Sequence, residues 1–187
     1  MEWLNHNSDA LTGVAALIAA GVAIYGVNEW KRQFKWRIEY ETARRYIRAL
    51  YRVRESINRD IRNPAISNSE VDEAKEAAEL KGRTVTDKNR HWLVYHKRWE
   101  KLSAARADLR AELLETEVLW GKDIGKEEWK LQLLIGELYA KIHMHFMNPR
   151  SAADSFDYLY YTDGKDGFSK SVDDAIRRVE QLLRPHL

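Results

Sequence analysis

An uncharged segment near the N-terminus is the feature that most constrains the fold. From Ala10 to Asn28 the 187-residue chain contains no Asp, Glu, Lys or Arg. As a helix this segment is roughly 28 Å long, close to the thickness of the hydrocarbon core of a bilayer. Trp3 and Trp30 flank it, where interfacial aromatic residues are commonly found. We therefore expect an N-terminal transmembrane segment within residues 1–30, and a buried core helix is the alternative interpretation.

The distribution of charge predicts how this segment is oriented. Residues 1–30 contain three acidic residues and no Lys or Arg, whereas residues 31–62 contain eleven basic residues against four acidic ones. The positive-inside rule then places the N-terminus outside and residues 31–187 in the cytoplasm of a bacterial inner membrane. A cleaved signal peptide fits poorly, because Glu2 and Asp9 occupy its normally basic leading part. The formal net charge of +2 conceals this division.

The two faces of the predicted membrane helix differ in side-chain size. At about 100° per residue, small residues collect on one side and Leu, Val and Ile on the other. Small side chains let helices approach closely, and Ala and Gly four residues apart are typical of such contacts in membranes. We expect a homo-oligomer, with a pore if several copies form a ring. Its contact face consists of Thr12, Ala16, Ala19, Ala20 and Ala23. The alternative is an Ala-rich anchor whose sorting is accidental.

The rest of the chain predicts an all-α bundle, so the fold is one transmembrane helix followed by a cytoplasmic helical domain. Apolar residues at helical spacing continue the first helix to Asn63, where Pro64 follows. Further helices are predicted from a serine cap to about Leu80, and over residues 87–120 and 126–147. The serine cap is Ser67 with Glu70 or Ser69 with Asp72. A Tyr-rich loop over 155–168 precedes a last helix, capped by Ser171 with Asp174 and ended by Pro185.

Several kinds of chemistry are excluded by composition. The chain has no cysteine, which excludes disulfides, a thiol nucleophile and an iron–sulfur cluster. It also has no glycine-rich phosphate loop. His143 and His145 point about 160° apart on a helix, which defeats shared metal coordination. We therefore expect no metal, no cofactor and no small-molecule substrate.

A basic stretch follows the uncharged segment. Its residues are Lys31, Arg32, Lys35, Arg37, Arg44, Arg45 and Arg48, and further arginines continue to Arg62 on the side predicted to face solvent. Those nearest Trp30 suit anionic lipid headgroups, whereas those from Arg44 onward lie beyond a Debye length from the membrane. Binding of RNA or another polyanion is one interpretation of these arginines. The interpretation that we favour is that they pair with the acidic helix over residues 70–79, which needs a basic partner.

One stretch resembles a catalytic signature. Arg90 is followed directly by His91 and, six residues on, by His96, a pattern similar to the Arg-x₄₋₆-His signature of HEPN-domain ribonucleases. HEPN domains are all-α bundles of about this size. The resemblance implies a metal-independent site completed across a dimer, in which Arg90 binds the scissile phosphate and His96 acts in acid–base catalysis. The alternative is that both are surface residues near the start of a helix.

Taken together, the single span, the basic continuation and the Arg90/His96 pair resemble the small membrane accessory proteins of type VI RNA-targeting CRISPR systems. The resemblance implies an oligomeric, pore-like assembly that depolarises the inner membrane during antiviral defence, with RNA or a CRISPR effector as partner. Residues 29–45 also look like part of uncharacterised bacterial single-span proteins. The alternatives are an anchored helical module that binds a partner or polyanion, or a divergent HEPN ribonuclease.

Overall fold

The chain is all-helical, as the sequence predicts. The computed structural model describes residues 2–86, 89–147, 156–162 and 164–187. Within these ranges, side chains are described from Leu17 to Met147 and from Tyr158 onward. No β-strand occurs in these ranges. The helices are α1 (Glu2–Glu55), a π-helix (Ser56–Ile61), α2 (Asn68–Leu80), α3 (Arg90–Trp120), α4 (Asp123–Met147), α5 (Phe156–Leu159), α6 (Gly167–Leu183) and a closing 3₁₀ turn (Arg184–His186).

Local capping signals account for most helix boundaries. The Glu70 N–H donates to Ser67 Oγ at 3.2 Å and the Ser67 N–H donates to Glu70 Oε2 at 3.1 Å, so the first of the two predicted capping boxes starts α2. Gly121, with φ of 81°, follows the last residue of α3. The predicted cap of α6 is wrong. Asp166 accepts from the Ser169 N–H at 2.7 Å and caps the helix five residues before Ser171.

Packing divides the chain into two units, Met1–Glu41 with His186 and Thr42–Pro185 with Leu187. In the first unit the described side chains of α1 leave large apolar groups exposed, including Leu17 at 75%, Val22 at 66% and Tyr25 at 71%. Over the described residues, no helix is long and apolar enough to cross a membrane. The part of the predicted span before Leu17 lies outside the described side chains.

The second unit has its own hydrophobic core. The last part of α1, the π-helix, α3, α4 and α6 supply it. Its fully buried side chains include Tyr46, Leu50, Ile57, Leu102, Leu109, Leu131, Ile135, Leu138, Ile176 and Leu183. The core side of α1 is the one that the sequence predicts, because its apolar residues recur every three or four positions. A smaller cluster of Ala74, Ala78, Leu93 and Val94 lies between α2 and α3.

The π-helix reverses the predicted placement of Arg62. The Arg62 N–H donates to the Ile57 carbonyl at 3.0 Å, an i→i+5 bond of the kind that defines a π-helix. Residues five apart then share a side, whereas α-helical geometry would put them about 140° apart. Arg62 therefore follows the buried Ile57 into the interior and has no exposed surface. The prediction that Arg62 faces solvent is wrong for this reason.

Candidate functional site

The predicted oligomer face is described only in part. Thr12 and Ala16 lie outside the described side chains. Ala19, Ala20 and Ala23 are exposed, and so are Leu17, Ile18, Val22 and Ile24 between them. Within the described residues this stretch of α1 is therefore left without partners around its whole circumference, both on the small-residue side and on the bulky side.

The basic residues of the first unit pair with acids on their own helix. Arg32 lies 2.7 Å from Glu29, Lys35 lies 3.7 Å from Glu39 and Arg37 lies 3.0 Å from Glu41. All are three or four residues apart and the basic side chains are more than 75% exposed. Such pairs contribute about 0.3–0.5 kcal/mol each, so these side chains stay available to an outside anion. Lys31 is exposed and forms no ion pair with a described residue.

Three arginines of α1 in the second unit, Arg45, Arg52 and Arg54, pair with acids on α3 and α6. Arg45 pairs with Glu112 at 3.4 Å and also with Glu115. Two further pairs join Arg52 to Asp108 at 3.9 Å and Arg54 to Asp173 at 3.6 Å. The acidic helix α2 instead pairs with α3, through Glu73 and Lys97 at 2.5 Å and through Glu70 and Arg98 at 2.9 Å. The predicted pairing of α2 with the arginines of α1 is therefore wrong.

Arg44, Arg48 and Arg52 form what we call the arginine row. They are spaced four residues apart and so lie on one side of α1. Arg44 and Arg48 are exposed and form no ion pair with any described residue, and Arg52 is only weakly paired. The row presents three guanidinium groups, which suit the bidentate recognition of phosphate or carboxylate. Asp108 on α3 lies 3.9 Å from Arg52 and partly offsets the charge of the row.

Arg90 and His96 do not share a cavity. Arg90 is the first residue of α3 and lines an open pocket of about 540 Å³ with Asp72 and Lys75 of α2. His96 lines a separate pocket of about 20 Å³ with Ala74, and Leu93 borders both pockets. Six residues of helix turn the two side chains about 120° apart. Within one chain the structure does not bring them to the same phosphate.

The surroundings of His96 are those of a packed surface histidine. Its Nε2 lies 3.9 Å from Oε1 of Glu100, and Lys81 donates to that oxygen at 2.8 Å. The His96 ring lies 6.3 Å from the ring of Trp92. His143 also contacts the Trp92 ring, at 5.4 Å, so the aromatic neighbours of both histidines belong to the packing of α3 against α4. Over the described residues, no group of three or more His, Asp or Glu side chains could hold a metal ion.

Two buried arginines were missed by the sequence reasoning. Arg98 is 3% exposed and donates to both carboxylate oxygens of Glu70, at 3.0 and 2.9 Å. It also donates to the carbonyls of Asn63 and Ala65, both at 2.6 Å. Arg98 thus fixes the segment before α2, and α2 itself, onto α3. Nothing in the local sequence separates it from the exposed basic residues around it.

Arg62, the residue before Asn63, has a similar role. It donates to the carbonyls of Tyr158 and Tyr160, at 2.9 and 2.8 Å, and to Ser169 Oγ at 2.6 Å. Asp166 Oδ1 lies 3.0 Å from its Nη2. Burial raises the pKa of Asp166, but hydrogen bonds from Ser169 and the charge of Arg62 outweigh burial and lower that pKa to about 2.

A third buried polar group lies between α3 and α4. Glu128 is 4% exposed and accepts from Gln132 Nε2 at 2.6 Å, and Arg106 Nε donates to Gln132 Oε1 at 2.9 Å. Burial raises the pKa of Glu128. Tyr46 is fully buried nearby, and burial together with the charge of Glu128 raises the pKa of its hydroxyl. A cavity of about 450 Å³, lined by Glu117 among others, borders Glu128.

Comparison with known proteins adds no relative from which a role could be transferred. No family model matches the chain, and no curated protein or solved structure matches it.

Proposed function

We propose that this protein is a homo-oligomeric membrane protein, anchored by α1, whose helical bundle lies in the cytoplasm. One observation carries the proposal, namely the exposed apolar surface of α1 from Leu17 onward. Leu17, Ile18, Val22 and Ile24 are 63–75% exposed and leave α1 apolar on a side that nothing described in the chain covers. Burying such a side chain is worth about 1.5–3 kcal/mol, so lipid or further copies are the favoured surroundings.

We further propose that the protein is an accessory in CRISPR-linked antiviral defence. The support is the resemblance of the span, the basic continuation and the bundle to those accessory proteins. In this role copies associate through Thr12, Ala16, Ala19, Ala20 and Ala23 and form a narrow pore. The exposed basic residues after Trp30 hold α1 at the anionic inner leaflet, where each contributes about 1 kcal/mol.

The first experiment separates anchoring from association. The full chain, expressed in bacteria, is expected to stay in the membrane fraction after alkaline carbonate extraction and to run in detergent as an oligomer by light scattering. Ala16→Leu with Ala20→Leu is expected to reduce the mass to smaller species and keep the protein in the membrane. Val22→Leu, on the bulky side, is the matched control. Release of the wild type by carbonate, or a monomer at every concentration, contradicts the proposal.

The second experiment tests the role in defence. A membrane-potential dye is read in cells that carry the protein with an RNA-targeting CRISPR nuclease and are challenged with phage. Depolarisation is expected with the wild type and with Val22→Leu, and not with Ala16→Leu/Ala20→Leu. Equal dye signals from all three proteins refute the pore and leave the anchoring result untouched.

A second candidate function is supported by the arginine row. Arg44 and Arg48 are exposed guanidinium groups without an ion pair among the described residues, which fits an anchored module that binds RNA or another polyanion. Binding to a single-stranded RNA is expected to weaken as salt rises. It is also expected to be lost in Arg44→Glu/Arg48→Glu. Lys122→Glu/Lys170→Glu makes the same charge change at exposed sites outside the row and should retain more of the binding. Equal loss in both variants refutes a specific site.

A further inference from the structure

A second unpartnered apolar surface lies on α4. We call it the α4 stripe, and its members are Trp129, Leu133, Gly136, Ala140, Met144 and Met147. They follow one another at intervals of three or four residues and therefore share one side of the helix. Four of them are large and exposed, with Trp129 at 59%, Leu133 at 57%, Met144 at 49% and Met147 at 60%. No charged residue belongs to the stripe.

The opposite side of α4 already forms the core. Leu131, Ile135, Leu138 and Ile142 are no more than 3% exposed and pack against the rest of the bundle. A surface helix normally turns a polar side outward. This one is apolar on both sides, and no described residue covers the α4 stripe. Exposed apolar surface that runs along a whole helix indicates an interaction site.

The middle of the stripe is shaped for another helix. Gly136 and Ala140 lie one turn apart, and a Cβ placed on Gly136 would meet nothing within 4 Å. The bulky members lie at both ends, with Trp129 and Leu133 before this notch and Met144 and Met147 after it. A second helix that crosses at the notch can approach closely, while its own side chains contact the bulky ends.

The charged residues beside the stripe indicate which helix this is. Glu137 and Lys141 follow one edge of the stripe. Both also contact Tyr158 of their own chain, whose hydroxyl donates to Glu137 Oε1 at 2.6 Å and whose ring centroid lies 5.3 Å from Lys141 Nζ. If a second copy of α4 crosses in the antiparallel direction at Gly136 and Ala140, Glu137 of each copy faces Lys141 of the other. In a parallel pair the two-fold axis runs along the helices, so this edge of one copy would lie across from the opposite edge of the other, and the two charges would not meet. In the antiparallel contact every favourable pair occurs twice.

The apolar members match in the same arrangement. With the crossing between Gly136 and Ala140, Trp129 of one copy lies opposite Met147 of the other, and Leu133 lies opposite Met144. Contacts between a thioether and an aromatic ring contribute about 0.3–1.5 kcal/mol. A groove of about 380 Å³ between α4 and α6, lined by Leu133, Glu137 and Ala175 among others, runs beside the stripe and gives room for side chains of the copy.

We propose that the α4 stripe is an interface through which two copies of this chain pack antiparallel about a two-fold axis at Gly136 and Ala140. It is separate from the contact proposed for α1 and does not depend on it. A lipid surface is the less suitable occupant, since it would leave the notch at Gly136 and Ala140 unfilled.

The absence of native cysteine makes a direct test available in the full-length, detergent-solubilised protein. Ala140→Cys lies beside the proposed axis, so mild oxidation should give a disulfide-linked dimer. Ala111→Cys, which is also exposed and lies on α3, is the matched control and should stay monomeric on a non-reducing gel. A Trp129→Cys chain mixed with a Met147→Cys chain should cross-link as a heterodimer in preference to either chain with itself.

Two further variants, each combined with Ala140→Cys, make the result decisive. Gly136→Leu adds a side chain in open space, so the fold of each chain should stay intact. The added side chain should separate the two helices and lower the cross-linking at least tenfold. Ala111→Leu should leave the cross-linking unchanged. Cross-linking through Ala140→Cys should persist in the Ala16→Leu/Ala20→Leu background, which separates this interface from the one on α1.

Four outcomes would overturn the proposal. The first is that Ala140→Cys cross-links no better than Ala111→Cys, and the second is that its cross-linking is lost when only α1 is changed. Preferred self-cross-linking of Trp129→Cys would overturn the antiparallel arrangement. Lipid vesicles that protect the thiol of Ala140→Cys from a water-soluble maleimide, without a dimer, would show that lipid covers the stripe and would equally overturn the proposal.

Discussion

Nη2 of Arg62 lies 3.0 Å from Oδ1 of Asp166, and the two side chains are 0% and 7% exposed. Asp166 is also the cap of α6, because it accepts from the N–H and the hydroxyl of Ser169. One ion pair therefore joins the end of the π-helix to the start of the last helix, and the arginine also donates to the carbonyls of Tyr158 and Tyr160 and to the hydroxyl of Ser169.

Replacing Arg62 should be among the most damaging substitutions in the bundle. Arg62→Met leaves the Asp166 carboxylate buried without its cation and removes the donors to two carbonyls. Breaking a buried pair in this way typically costs about 3–5 kcal/mol. The measurement is urea unfolding followed by circular dichroism of the full chain in detergent. Arg59→Met, at a side chain 80% exposed, is the control and should change the free energy of unfolding by at most about 0.5 kcal/mol. Similar losses from the two variants would contradict the role of Arg62.

The same ion pair predicts a loss of stability in acid. The pKa of Asp166 is about 2 in the folded chain against an ordinary value of 3.8, so its contribution is fully present above pH 3.8 and is lost as the pH falls through 2. A difference of this size corresponds to about 2 kcal/mol. Asp166→Asn keeps an N-cap and removes the charge, and should lack this part of the acid transition. The check is the midpoint of unfolding between pH 5 and pH 2 for both proteins. Parallel curves would show that another group is responsible.

Glu128 predicts the opposite trend at higher pH. Burial raises its pKa above the ordinary value of 4.5, so the folded state binds its proton more tightly than the unfolded chain. The free energy of unfolding therefore falls as the pH rises from 4.5 through the folded pKa. Glu128→Gln should remove this fall and gain stability at pH 8 relative to the wild type, whereas the exposed Glu79→Gln should not. Thermal unfolding between pH 5 and pH 8 measures the difference, and a wild-type curve that does not fall over this range contradicts it.

The separation of Arg90 from His96 predicts that the chain does not cleave RNA by itself. The two side chains line different pockets, so neither can assist the other at one phosphate. Labelled single-stranded RNA incubated with purified protein in EDTA should stay intact over hours, and His96→Ala should give the same result. Metal-independent cleavage that disappears in His96→Ala, with binding unchanged, would show that a second chain completes the site.

Local patterns predicted those features that depend on a few neighbouring residues. The all-α fold, the Ser67 capping box and the core side of α1 follow from spacing alone, because capping and amphipathicity act within one or two turns. The cap of α6 shows the limit of prediction from local patterns. Ser171 with Asp174 and Asp166 with Ser169 are both acceptable local signals, and only Asp166 also meets Arg62 from a distant part of the chain.

The candidate surfaces were predicted less completely, since their partners come from other helices. The sequence identifies Arg44, Arg45 and Arg48 as equally basic, and only the fold shows that Arg45 is engaged by α3 while the other two are open. Arg98 is likewise not recognisable from its neighbours in the sequence, because the groups that it binds belong to other parts of the chain. The α4 stripe was also missed, because the sequence pattern does not show which apolar side of a helix the bundle covers, and only the fold shows that Trp129 is 59% exposed.

The π-helix at Ser56–Ile61 has a consequence for how this chain tolerates insertions and deletions. The widened turn holds one residue more than an α-helical turn would, and that residue sets the phase of everything up to Arg62. A single deletion within this turn would restore an α-helical turn, in which residues four apart share a side, and would leave the arginine facing the interior. Relatives of this chain should therefore be able to lack this one residue, whereas an inserted residue would rotate the arginine away from Asp166.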